Sequence, residues 1–138
     1  MKYLLDTDTA SYFIRGVPEV VAHAMREVEY WCVSSITYLE LSSGLFQTEN
    51  KLVELAITEF LREVQVAEFS GHDAFEAGRL LAKLKSAGTP IGHFDTVIAA
   101  HALSLNLTLV TNNTKHFSKV DELKLVNWRN SVDSGSSA

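Results

Sequence analysis

The opening stretch MKYLLDTDTA, residues 1–10, sets the reading of the whole chain. MKYLL is a short apolar run of strand length with no polar alternation, which predicts a strand buried on both faces. Two aspartates, Asp6 and Asp8, follow it at once, and a short helix is expected next. A doubly buried strand that gives way to a helix is the start of a βαβ unit. The rest of the chain repeats the pattern. WCVSS (31–35), VQVAEF (64–69), LTLVT (107–111) and the edge candidate LKLV (123–126) read as further strands.

Amphipathic helices separate them. In ENKLVELAITEFLREV, Leu52, Leu55, Ala56, Phe60 and Val64 recur at three- and four-residue steps. In HDAFEAGRLLAKLKSAG the expected inner face is Ala74, Ala77, Leu81 and Leu84, with Gly88 as the C-terminal cap. Right-handed crossovers then give a three-layer α/β/α domain around a mostly parallel central sheet. Pro18 and Pro90 fall at boundaries between periodic segments. We assign residues 1–130 to one domain and read SVDSGSSA, residues 131–138, as a disordered polar tail.

Composition narrows the function classes. The 138-residue chain is 46% hydrophobic and 21% charged, with a formal net charge of −5. That charge argues against a protein that coats nucleic acid through a broad basic surface, but an acidic site loaded with divalent cations meets phosphate locally. The single cysteine, Cys32, cannot close an internal disulfide and reads as a small buried hydrophobe. With no extended apolar leader and no run of spanning length, the expectation is a cytoplasmic protein away from the membrane.

In an open parallel sheet, ligands sit beyond the carboxyl ends of the strands. Three segments distant in sequence each deliver a carboxylate there: Asp6 after MKYLL, Glu40 past WCVSS, and Asp95 at the start of DTVIAAHALSL. Hard cations such as Mg²⁺ or Mn²⁺ take such an all-oxygen set. Each acid also has a local explanation. Asp6 serves as a helix cap. Thr37-Tyr-Leu-Glu40 matches a capping box in a helix beginning near Thr37, which locally is the favoured reading of Glu40. Asp95 is stabilised by the helix dipole, and Asp8 fits a polar turn. Their joint placement is the stronger signal. His93 and His101 lack metal-ligand spacing, and His101 is assigned to surface or packing. Lys115, His116 and Lys119 are candidate phosphate contacts, set against an ordinary solvated loop. No G-x-S-x-G elbow and no glycine-rich phosphate loop occurs.

MKYLLDT, SSITYLEL, GTPIGHFDTVIAAHAL and LTLVTNNTKHFSKV followed by LKLVNW together resemble a PIN-domain ribonuclease of the VapC type, over nearly all of residues 1–129. The resemblance implies a Mg²⁺- or Mn²⁺-dependent endoribonuclease toxin that acts on RNA such as tRNA or rRNA. It also implies a cognate antitoxin that blocks the site, and a homodimer. Asp6, Glu40 and Asp95 match the family's acidic set. A fourth acidic position falls near Asn112 or Asn113, both amides here, and with Thr111 these are expected to position water or phosphate. Asp8 stands where asparagine is usual, and His93 where proline is frequent. Arg15, Lys83, Lys85 and Lys115 are candidates for RNA contact, and the apolar face of residues 49–64 is a candidate for dimerisation and equally for ordinary core. Two rival readings are a haloacid-dehalogenase-like phosphatase, suggested by the D-x-D of LLDTDTA, and a non-catalytic RNA- or protein-binding PIN scaffold.

Overall fold

The computed structural model describes residues 1–130, so the expected tail at 131–138 lies outside the described residues. The elements run β1 (Tyr3–Leu5), α1 (Thr7–Ile14), α2 (Pro18–Arg26), β2 (Trp31–Ser34), α3 (Ser35–Gln47) and α4 (Lys51–Glu63). They continue with β3 (Val66–Ala67), α5 (Gly71–Ser86), α6 (His93–Leu105), β4 (Thr108–Val110), α7 (Thr114–Phe117) and β5 (Leu125–Val126). All five expected strands are present, each shorter than its apolar run. The sheet is wholly parallel in the order β3-β2-β1-β4-β5. The chain builds outward from β1 to one edge, then crosses back to fill the other side. The β1–β4 seam is therefore the topological switch point, where the crossovers leave on opposite faces and open a crevice.

Register explains why β1 is apolar throughout. Leu4 aligns with Cys32 and Leu109, and these point into one core with Leu84, Ile98, Ala99 and Ala102 of α5 and α6. Leu5 aligns with Val33 and Val110, and these point into a second core with Ala10, Val20, Ala24, Leu41, Ile57 and Phe60 of α1 to α4. Period-two alternation thus feeds two helical layers, giving the α/β/α sandwich. Cys32 is buried in the first core, and desolvation pushes its thiol up to about 11, so it packs as a hydrophobe. Trp31 stacks on Phe60 and donates its indole N–H to the Ala24 carbonyl, which ties α2 and α4 to β2.

Helix ends follow capping chemistry. Pro18 occupies the first turn of α2. Beyond α5, Gly88 has φ of 73°, with Gly88 N–H bonded to Lys85 O and Thr89 N–H to Leu84 O. That is a Schellman closure, and only glycine enters that backbone region freely. Two helical faces differ from expectation. On α4 the inner residues are Ile57 and Phe60, with Leu61 and Val64 against them, while Leu52 and Leu55 face solvent. On α5 Ala74 is exposed and its neighbour Asp73 is buried beside Ala77 and Leu84. Among the described residues no helix is long and apolar enough to cross a membrane.

Candidate acidic active site

The β1–β4 crevice holds a cavity of about 100 Å³ lined by Asp6, Thr7, Asp8, Glu40, Asp95, Asn113 and Phe117. The three acids singled out in the sequence reach it from different elements, and Asp8 joins them. Asp6 leaves β1 with its N–H on the Val110 carbonyl, which fixes it over the switch point. Its Oδ1 accepts the Thr9 N–H at 2.8 Å, so Asp6 caps α1 and lines the cavity at once. Capping and site placement are not exclusive here: Oδ1 accepts from the helix N–H while the side chain still borders the cavity.

Glu40 corrects the helix reading. Ser34 caps α3, placing Glu40 in the second turn, and no Thr37–Glu40 capping box forms. Instead Thr7 Oγ1 lies 2.6 Å from Glu40 Oε1 and 3.0 Å from Thr37 Oγ1. The carboxylate can only accept, so Thr7 gives its single hydrogen to Glu40 and receives that of Thr37. This relay pins Oε1 and leaves Oε2 for the cavity. Asp95 is the third residue of α6, whose cap is Gly92 at φ 95° with no side chain to offer. Its negative charge sits on the positive end of the helix.

Crowding and burial disfavour ionisation of all three. Asp6 is 5% exposed, and desolvation raises its pKa to about 6 against hydrogen bonds from Thr111 and Thr9, with the Asp8 charge adding to the rise. Glu40 is raised by burial and by the charges of Asp95 and Asp8, opposed by the Thr7 bond. Asp95 is raised by burial and by Asp8, opposed by His116. Several carboxylates share a small polar space with little positive charge to offset them. Among the described residues, however, no three His, Cys, Asp or Glu side chains close tightly enough to form a finished metal cage. The arrangement is an open, all-oxygen donor set of the sort that completes its shell with water or substrate oxygens.

Other candidates fall on both sides of the cavity wall. Asn113 lines it, with its Oδ1 accepting the His116 N–H as the cap of α7, so its amide N–H groups are the free part. Thr111 is fully buried and accepts the Asn113 N–H, supporting Asp6 from beneath. Asn112 is exposed and outside the lining, and its carbonyl accepts from Asn127. Lys115, Lys119 and His93 are exposed and also outside it. Lys83 pairs with Asp121, Lys85 is exposed, and Arg15 packs on Tyr12, whose ring Arg129 also covers.

Two partners of the acids are not marked as such in the sequence. Thr7 offers no local signal beyond a polar turn. His116, a candidate only for phosphate contact on sequence grounds, places Nε2 3.0 Å from Asp95 Oδ2. His101 is fully buried, with Nδ1 2.9 Å from Ser34 Oγ, and Nε2 3.1 Å from Glu68 O and 3.7 Å from Asp73. A Ser–His–Asp order invites comparison with a hydrolase, but Ser34 is sealed from solvent and caps α3. The group is a packing tie between layers.

A PIN domain match covers residues 3–123. The chain is 32% identical over 130 residues to the tRNA(fMet)-specific endonuclease VapC of Salmonella typhimurium, spanning 93% of this chain and 98% of that one. It is 36% identical to ribonuclease VapC2 of Haemophilus influenzae, again over 93% and 98%. Among solved structures, VapBC2 from Rickettsia felis bound to promoter DNA superposes with a TM-score of 0.84 at 32% identity, over 93% and 99%. DNA-bound VapBC from Salmonella typhimurium gives 0.86 at 29%, over 93% and 98%. Match, identity and superposition agree along nearly the whole described chain: it belongs to the PIN-domain family and, within it, to the VapC type.

Proposed function

We propose that this chain is a metal-dependent endoribonuclease, the toxin of a toxin–antitoxin pair, and that Asp6, Glu40 and Asp95 are its catalytic carboxylates. The observation that carries the reading is the convergence of those three acids, from β1, α3 and α6, on one cavity at the β1–β4 switch point. Relatives named as endonuclease and ribonuclease, and neighbours solved as toxin–antitoxin complexes, support the reaction class and a cognate antitoxin partner. The family resemblance supports RNA such as tRNA or rRNA as substrate, growth inhibition as the outcome and the cytoplasm as the setting. It also supports a second copy as partner, with the apolar α4 face offered as the contact.

Mg²⁺ or Mn²⁺ fits the oxygen-only donors and the shortage of positive charge among them, with Asp6 and Asp95 as holders and Glu40 beside them. Such a cation supplies charge neutralisation at the scissile phosphate and acidifies water. The residues do the rest. Glu40, pinned through Oε1 by Thr7, presents Oε2 to orient the attacking water and take its proton. Asn113 turns its amide N–H groups towards a phosphate oxygen, and Thr111 holds Asp6 in place. The D-x-D phosphatase reading gives way to the PIN assignment.

The test is cleavage of total RNA by the purified chain with Mg²⁺ or Mn²⁺, with EDTA, and with Asp95→Asn. Discrete fragments that need metal and vanish in the variant are expected. Absence of cleavage by folded, antitoxin-free protein with either metal overturns the nuclease reading in favour of a non-catalytic scaffold.

A further inference from the structure

We infer that His116 is the positioning residue for Asp95: its imidazole fixes the carboxylate in the orientation from which it binds a divalent cation. The inference rests on the metal reading above. His116 Nε2 lies 3.0 Å from Asp95 Oδ2 and 3.0 Å from the Ile91 carbonyl. An ionised carboxylate and a carbonyl both accept, so Nε2 carries a hydrogen and shares it between them. The tautomer is therefore set by the surroundings. The ring is held again by edge packing on Phe117, at 5.3 Å between centroids and 82° between planes, and Phe117 itself floors the acid cavity.

These contacts join three pieces of chain. The Ile91 carbonyl belongs to the turn before α6, Asp95 to the first turn of α6, and His116 to α7 beyond β4. Gly92 gives α6 no side-chain cap, and among the described residues His116 is the one hydrogen-bond partner of the Asp95 carboxylate. Asp95 is about half exposed, and without His116 its carboxylate would sample several rotamers. The Nε2–H bond takes one lone pair of Oδ2 and leaves Oδ1 open. Ordering the ligand beforehand lowers the entropy lost when an ion binds, and partners that orient ligating groups commonly contribute 10–100-fold in metal affinity.

The test is Mn²⁺ binding by calorimetry to wild type, His116→Ala, His116→Gln and Asp6→Ala, with nitrogen NMR of the metal-free imidazole. A glutamine amide reaches the position of Nε2 and can donate in its place. We expect His116→Ala to weaken Mn²⁺ about 10-fold and His116→Gln to recover most of that loss. In metal-free wild type the His116 signals should show hydrogen on Nε2, and Asp95→Ala should shift them. Unchanged or tighter Mn²⁺ binding in a folded His116→Ala variant overturns the inference, as does hydrogen found on Nδ1 alone. Failure of wild type to bind Mn²⁺ at all sinks the metal reading itself and this inference with it. Wild-type binding lost in Asp6→Ala but untouched in His116→Ala sinks only the role of His116.

Discussion

Asp6 carries two duties with opposite energetic signs. As cap of α1 it stabilises the fold, and as a buried carboxylate beside Asp8 it destabilises it. Its pKa rises from 3.8 to about 6 on folding, so the native state binds the proton more tightly than the unfolded one. With EDTA present, the Asp6 contribution to unfolding free energy should therefore fall as pH rises between those two values, and stay low above. A tenfold change in proton affinity corresponds to about 1.4 kcal/mol, so Asp6 alone accounts for at most roughly 3 kcal/mol, and Glu40 and Asp95 act with the same sign. Urea titrations at pH 5 and pH 7 of wild type beside Asp6→Asn measure this, since His101 and His23 have lowered pKa values that act with the opposite sign in both proteins. An Asp6→Asn gain no larger at pH 7 than at pH 5 would contradict it. Asparagine keeps the cap and sheds the charge, so Asp6→Asn should stabilise the metal-free protein at pH 7 by about 1–3 kcal/mol. Asp6→Ala loses the cap as well and should gain about 1 kcal/mol less. Adding Mn²⁺ at 100 times its dissociation constant should stabilise wild type by about 2.7 kcal/mol and Asp6→Asn by less.

At the level of elements, polar ties between layers decide what periodicity alone cannot. Asp73 accepts from Ser70 in a capping box at the start of α5 and from Ser104 of α6, with His101 close by. A helix face drawn from apolar spacing chooses Ala74 over Asp73, because the groups that make an inward aspartate tolerable include Ser104, 31 positions away. The same holds for His116, whose partners Asp95 and Ile91 lie 21 and 25 positions back. By contrast β1, β4 and the acids after strand and helix starts were legible, since each signal is local: an apolar run, then a carboxylate. Asp73→Ala should destabilise the protein by about 2–4 kcal/mol through the lost cap and the stranded Ser104 hydroxyl, yet leave Mn²⁺ affinity within twofold. Chemical denaturation beside calorimetry measures both, and a large affinity loss would mean that this tie also shapes the site.

For the whole molecule, the switch-point rule located the cavity from strand order, and two cores account for the apolar strands. What sequence could not separate was apolar residues that build the core from those that remain outside it. Both kinds occur at helical spacing on α4, and only packing against Trp31 and Phe13 selects Phe60 over Leu52. Phe46, Leu52 and Leu55 stand 85%, 78% and 63% exposed around the α3–α4 junction, so the fold gains little from them. Replacing Leu52 with lysine and Leu55 with glutamate should shift the unfolding free energy by no more than about 0.5 kcal/mol, since exposed substitutions away from caps and cores rarely do more. If this face carries self-association, the same double variant should sediment as a monomer at concentrations where wild type is dimeric, because a charge of either sign cannot be desolvated cheaply in an apolar contact. A variant that stays dimeric would move the contact elsewhere, whereas one that unfolds would show that these leucines hold the α4 layer in place.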